Sequence, residues 1–227
     1  MITPIAIGLA GGQGVRCRPL TLKTADYIRA KAAVRFLGRR VIDWLLHLLS
    51  AQGIADVFMV CKGQENYFQV KSLVGYGESH GMHLRYSPVH LRYDNTGSAD
   101  ALLANLVHFA IISPHAFVFP TDSVLDFDLA SMVEAHHRTG AVVTIAATRQ
   151  PAEVIAGQYG LIDHDAQNCV SGFMEKPSLK AIYAHLGAIY HTDRTPPSLV
   201  TNAGFYLISS SPARRPGACS PGRPSRR

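Results

Sequence analysis

Apolar positions along the chain alternate between short runs and helical stripes. Residues 4–10 (PIAIGLA) are an apolar run that ends in glycine, which predicts a buried strand feeding a loop. Val41, Ile42, Leu45, Leu46, Leu48 and Leu49 recur at helical spacing and predict an amphipathic helix over 41–52. A strand is expected at 55–60, a helix at 64–74 and a short strand at 83–87. A helix then opens at Gly97-Ser98 and runs to about 112, followed by a strand at 116–120 that ends on Thr121-Asp122. The pattern continues with a helix at 129–138 and a β-branched strand at 141–147. Beyond it, strands at 159–163, 169–174 and 203–208 are separated by longer connections. This order predicts an α/β fold, a mixed, mostly parallel sheet flanked by helices, doubly wound in its first half and with a mixed sheet added in its second. No internal repeat is visible.

Composition narrows the class. A length of 227 residues, 47% hydrophobic and 17% charged, suits one large α/β domain or one domain plus a tail. No run of 18 or more apolar residues marks a membrane span. The apolar N-terminus lacks a basic n-region and passes straight into the glycine loop, so it reads as a first strand and not as a signal peptide. The four cysteines, Cys17, Cys61, Cys169 and Cys219, are scattered without a CxxC pair; reduced thiols and a cytoplasmic location are the expectation.

The net charge of +6 is concentrated at one end. Residues 210–227 hold Arg214, Arg215, Arg223, Arg226 and Arg227 and no acid, and removing those five leaves +1 for residues 1–209. A nucleic-acid partner therefore has little support, and no membrane partner is indicated. The chain divides into a domain at 1–209 and a basic Arg/Pro/Ser/Gly tail at 210–227 that is expected to be disordered. The tail reads either as natural or as the product of a lost frame or truncation. In the second case the strand at 203–208 is at risk of an open edge.

The glycine-rich turn after the first strand carries the strongest chemical signal. Gly11, Gly12 and Gly14 let backbone N–H groups approach phosphate oxygens, and Arg16 adds a charged fork of donors. A turn that merely reverses the chain uses the same glycines. The dinucleotide pattern GxGxxG fails at Cys17, and the GK[ST] ending of a P-loop is absent. A nicotinamide-dependent dehydrogenase is disfavoured on that ground. Asp122 stands at the carboxyl end of an apolar strand, where open α/β sheets bind ligands, and a carboxylate there can hold Mg²⁺ against phosphate. Asp126 and Asp128 precede a helix start and fit capping. Ser98 also fits a helix N-cap. His136 and His137 are adjacent on a helix and are expected at the surface.

These segments resemble, in order, those of the sugar nucleotidyltransferases. GGQGVRCRPLT at 11–21 resembles their GGxGTRLxPLT signature, with Val15 in place of the threonine and Cys17 in place of the leucine. RAKAAV at 29–34 is similar to the RAKPAV segment of glucose-1-phosphate adenylyltransferases, with Ala32 where proline is usual. TGSADA at 96–101, YGL at 159–161, FMEKP at 173–177 and TNAGFY at 201–206 continue the likeness. The resemblance implies a Rossmann-like, GT-A-like nucleotidyltransferase fold. It implies an enzyme that joins an NTP and a sugar 1-phosphate, ATP and glucose 1-phosphate in the family most resembled, the one that serves glycogen biosynthesis. It assigns phosphate contact to Arg16 and Lys31, and nucleotide binding to Gly11, Gly12, Gly14, Gly97 and Ser98. Gly160, Glu175, Lys176 and Asn202 would hold the sugar phosphate, and Asp122 would hold Mg²⁺. A homo-oligomer is allowed for a full-length form. Family members carry a second metal-binding aspartate after the NxGxY strand, whereas 210–227 has no carboxylate. A nucleotide-binding fragment or pseudoenzyme without turnover is therefore the rival expectation.

Overall fold

The computed structural model describes residues 4–11, 22–24, 27–28, 30–88, 98–109, 113–124, 126–190 and 198–209. In chain order the strands are β1 (Ile5–Ala10), β2 (Leu22–Thr24), β3 (Tyr27–Ile28), β4 (Arg35–Phe36), β5 (Arg39–Arg40), β6 (Asp56–Cys61), β7 (His83–Tyr86), β8 (His115–Pro120), β9 (Val143–Gln150), β10 (Leu161–His164), β11 (Val170–Met174) and β12 (Leu199–Ser209). The helices are α1 (Val41–Ala51), α2 (Gly63–Val74), α3 (Ser98–His108), α4 (Leu129–Thr139), the short α5 (Ala152–Ile155) and α6 (Leu179–Tyr190). None of the described helices is long and apolar enough to cross a membrane.

The main sheet runs β11-β10-β12-β8-β1-β6-β7, with β9 on the other flank of β12. Its β8-β1-β6-β7 portion is parallel, and the pairings that involve β9 to β12 are antiparallel. The expected mixed sheet flanked by helices is present, with the parallel strands confined to the first half. Strand alternation explains how both faces are covered. Ala6 and Ala10 of β1, Val57 and Met59 of β6, and Phe117 and Phe119 of β8 join α1, α2 and α4 in one core. Ile7, Phe58, Val60, Ala116 and Val118 point the other way and pack under Ala101, Leu102 and Leu106 of α3. The sheet is tight at its centre: a Cβ on Gly8 would lie 2.8 Å from Met59 Sδ and 2.9 Å from the Phe119 ring.

The chain travels from β1 to β6 and β7 on one side and then returns to place β8 on the other side of β1. The order reverses between β1 and β8, and the space beyond their carboxyl ends is where an open sheet of this kind accepts ligands.

The second half departs from expectation in three ways. Helix α6 fills part of one predicted long connection; its Ile182 and Leu186 pack with Ala152, Ile155, Leu161 and Leu199 in a third core. Strand β12 begins at Leu199, earlier than 203, and its flanks are both paired: Thr201 lies between Leu161 and Thr148, and Tyr206 between Val118 and Ile145. The expected risk of an open edge at 203–208 is thus corrected, because β9 and β8 flank residues 206–208 on both sides; β9 is left with one partner among the described residues. Cys61 is buried, and Cys169 is disulfide-bonded, against the expectation of reduced thiols. Separation along the chain does not bound separation in space.

Candidate functional site

The site is built on three chain segments that meet at the carboxyl ends of β1 and β8. Strand β1 delivers Ala10 and Gly11. Strand β8 ends in Pro120 and passes to Thr121, whose N–H donates to Leu9 O at 3.2 Å, which extends the pairing to the threshold of Asp122. The third segment is a single 3-10 turn at Lys31–Ala33. It is fixed from below: Ala30 and Ala32 are buried, and the Ala30 N–H donates to Gln69 Oε1 of α2 at 2.5 Å. Ala33 N–H returns to Ala30 O at 2.9 Å, so the turn holds its shape with alanine at 32.

This turn aims Lys31 across the pocket. Its Nζ donates to Asp122 Oδ2 at 2.8 Å, bridging residues 91 positions apart, with the two side chains 25% and 27% exposed. Ala10, Gly11, Ala30, Lys31, Ala32, Asn66, Thr121 and Asp122 line one shallow pocket. Gly11, Lys31 and Asp122 are thereby brought together. Gly12, Gly14, Arg16 and Gly97 lie outside the described residues, and Ser98 is described as the first residue of α3.

The donor set can be weighed for Mg²⁺. This ion favours hard oxygens and takes few protein carboxylates, leaving the rest of its shell to phosphate and water. Asp122 is such a carboxylate, and the Lys31 ammonium already stands at its oxygen as a cation would. Among the described residues no group of three or more His, Cys, Asp or Glu side chains could hold a metal ion. The residues present fit a cation that arrives with a polyphosphate, not a closed protein cage.

Gly160 and Asn202 are joined to each other: Asn202 N–H donates to Gly160 O at 2.9 Å. Gly160 allows a close approach, since a Cβ there would lie 2.5 Å from the Phe173 ring. The Asn202 carboxamide is used within β12, its Oδ1 accepting from Gly204 N–H at 2.8 Å and its Nδ2 donating to Tyr206 OH at 2.6 Å. These bonds shape the register shift between Asn202 and Tyr206. Glu175 and Lys176 pair with each other at 3.0 Å and are 61% and 45% exposed. Lys176 has φ +44°, a left-handed conformation that a side chain with a Cβ adopts at a cost. No hydrogen bond among the described residues links this second group to Lys31 or Asp122.

Two side chains near the pocket were not singled out in the sequence, Asn66 and Gln69. The signal was there for Asn66: it lies four residues before Val70 and eight before Val74, the buried positions of α2. A polar residue on the apolar stripe of a helix asks what it bonds to.

The family model for nucleotidyl transferases matches residues 5–211. The glucose-1-phosphate adenylyltransferase 1 of Vibrio cholerae is 31% identical over 177 residues, covering 75% of this chain and 42% of that protein. An Arthrobacter glucose-1-phosphate adenylyltransferase is 35% identical over 185 residues, covering 77% of this chain and 38% of that one. The chain thus spans about two fifths of the length of these curated relatives. Among solved structures, a Bacillus anthracis protein assigned as a glucose-1-phosphate thymidylyltransferase, in complex with sucrose, superposes with a TM-score of 0.66 at 20% identity, over 91% of this chain and 72% of that one. HddC of Yersinia pseudotuberculosis, complexed with GMP-PN, gives 0.63 at 17% identity, over 91% and 77%.

Proposed function

The chain belongs to the nucleotidyl transferase family, and from that premise we propose that it joins a nucleoside triphosphate to a sugar 1-phosphate, with ATP and glucose 1-phosphate as the pair. An oxygen of the sugar phosphate attacks the α-phosphorus. The new O–P bond forms as the bond to the β-phosphate breaks, and pyrophosphate leaves with that electron pair. The nucleophile is already anionic, so no strong base is required. The protein must bring two repelling anions together and offset their charge.

Lys31 has the position and charge for this task. It leaves Asp122 to donate to a phosphate oxygen, while the freed Asp122 carboxylate faces the cation. Gly11 admits the triphosphate close to the backbone, and by the family resemblance Gly12, Gly14 and Arg16 share in binding it. Gly97 and Ser98 take the nucleoside side, and Gly160, Glu175, Lys176 and Asn202 the sugar phosphate. When bound, Mg²⁺ would neutralise the phosphates and withdraw charge from the leaving group.

The observation that carries this reading is the Lys31–Asp122 pair beside Gly11, at the carboxyl ends of β1 and β8. The names of the relatives favour ATP and glucose 1-phosphate. The test is pyrophosphate release over a panel of NTPs and sugar 1-phosphates with Mg²⁺, and ATP with glucose 1-phosphate is expected to give the highest rate. A second reading, nucleotide binding without turnover, is favoured by one feature: Asp122 is the sole carboxylate lining the pocket among the described residues. Tight binding of MgATP with no pyrophosphate from any pair would decide for it.

A further inference from the structure

Helix α2 presents two carboxamides to the site, one turn apart. Gln69 is used: its Oε1 accepts the Ala30 N–H, and its Nε2 donates to Glu65 Oε1 at 3.2 Å. Asn66 is not. Its Oδ1 is buried and has no hydrogen-bond partner among the described residues, although Asn66 lines the pocket with Gly11, Lys31 and Asp122. An acceptor shut off from water without a donor destabilises the empty protein, so it calls for an explanation in the occupied one.

What kind of group would satisfy it follows from its sign. A carbonyl-type oxygen repels phosphate oxygens and attracts a cation or the protons of a cation's water. The cation already in the pocket, the Lys31 ammonium, is held by Asp122 at 2.8 Å. A divalent ion arriving with a triphosphate would compete for that same carboxylate. It would then find a second hard, neutral oxygen at Asn66, in a pocket that offers one carboxylate.

We propose that Asn66 Oδ1 is the second protein oxygen for the divalent cation, beside Asp122 in the pocket lining and reached directly or through one metal-bound water. This rests on the nucleotidyl transfer reading of the same pocket. It gives the cation two protein oxygens of which one is uncharged, which suits an ion that keeps water and phosphate in the rest of its shell. Asn66 would also orient that water by its fixed place on α2, next to the buried Val70.

The test uses Mn²⁺ as the probe, followed by the loss of its free spin-resonance signal, with a non-hydrolysable ATP analogue present. Nucleotide binding alone is measured separately in EDTA. Asn66→Leu keeps the size of the side chain and removes the oxygen; it is expected to weaken Mn²⁺ about tenfold, the lower end of what loss of a supporting group costs a metal site. Asn66→Asp keeps an oxygen in place and is expected to bind Mn²⁺ at least as tightly as the parent. Nucleotide affinity in EDTA should be unchanged in Asn66→Leu. The proposal is overturned if Mn²⁺ binding is the same in Asn66→Leu and the parent, or if Asn66→Asp loses it. It is overturned as well if Asn66→Leu loses nucleotide in EDTA, which would make Asn66 a donor to phosphate. Should Asn66→Leu not fold, Asn66→Asp decides alone. A parent protein that takes up neither nucleotide nor Mn²⁺ overturns the functional reading and this inference together; a parent that binds both, with Asn66→Leu unchanged, overturns the inference only.

Discussion

Lys31 and Asp122 are each about one quarter exposed, and a pair so placed contributes little to folding, about 0–1 kcal/mol. In the proposed function its value lies in holding two opposite charges where ligand charges would replace them. Lys31→Met is therefore expected to change the urea-unfolding free energy by less than about 1 kcal/mol while weakening MgATP binding by about 1.5–3 kcal/mol, the range for a hydrogen bond to a charged group. A large loss of stability with unchanged binding would make the pair structural. Lys176 poses the opposite case, a strained residue. Its φ of +44° disfavours any residue with a Cβ by about 1 kcal/mol. Lys176→Gly should stabilise the fold by about 0.5–1 kcal/mol while weakening sugar 1-phosphate binding, and Lys176→Ala should weaken that binding without the gain. Parallel melts and sugar-phosphate titrations of the two variants separate strain from charge.

Helix α4 is tied to the sheet by His136, which is 1% exposed and not at the surface as expected. One ring nitrogen bonds to Thr144 Oγ1 of β9 and the other to Ser209 Oγ of β12, each at 2.7 Å. Burial, with His115 and His137 nearby, pushes its pKa down to about 4. The unfolded chain protonates this histidine at an ordinary pKa of about 6.5, so the contribution is complete above that pH. It is lost as pH falls from about 6.5 to 4, because the unfolded state then binds the proton first. One such group accounts for about 2 kcal/mol between pH 7 and 5, from 1.36 kcal/mol per pKa unit. Urea unfolding of the parent should show this fall, and His136→Gln, which hydrogen-bonds without titrating there, should flatten it. An equal slope in both proteins would place the pH dependence elsewhere, with His115 next in line since burial also lowers its pKa.

The assembled sheet has its pocket and its exposed edge in different places. The pocket sits at the carboxyl ends of the parallel strands, whereas β9 is paired through β12 alone among the described residues. Val142 and Val143, where β9 begins, are 52% and 45% exposed. The strand, VTIAATRQ, carries one charge and no proline, so it lacks the usual guards of a sheet edge. Val143→Lys is expected to reduce self-association at high protein concentration without affecting nucleotide binding, as measured by sedimentation velocity. Association that is unchanged would direct attention to other exposed apolar groups, such as Leu103 and Val107 on α3.

Local features of the chain determined the alternation of strand and helix, the end of the first strand at Gly11 and the location of Asp122 at a strand end. Each depends on neighbours a few residues away, where side-chain period and strand-end chemistry leave a direct mark. Helix α6 reads as part of a long connection in the sequence pattern, although it too left a local mark: Ser178 caps it through its Oγ, and Leu179, Ile182 and Leu186 follow at helical spacing. The rest required the folded chain. Lys31 could be aligned with a phosphate-contacting lysine, but only the return of β8 alongside β1 puts Asp122 at its ammonium. Asn202 and Gly160 became neighbours through the pairing of β10 with β12. Asn66 gained its meaning only once its oxygen was enclosed beside a pocket, since an unmet hydrogen bond belongs to an environment and not to a residue type. Contacts between distant segments depend on sheet order and register, and no local pattern encodes which strand will lie next to which.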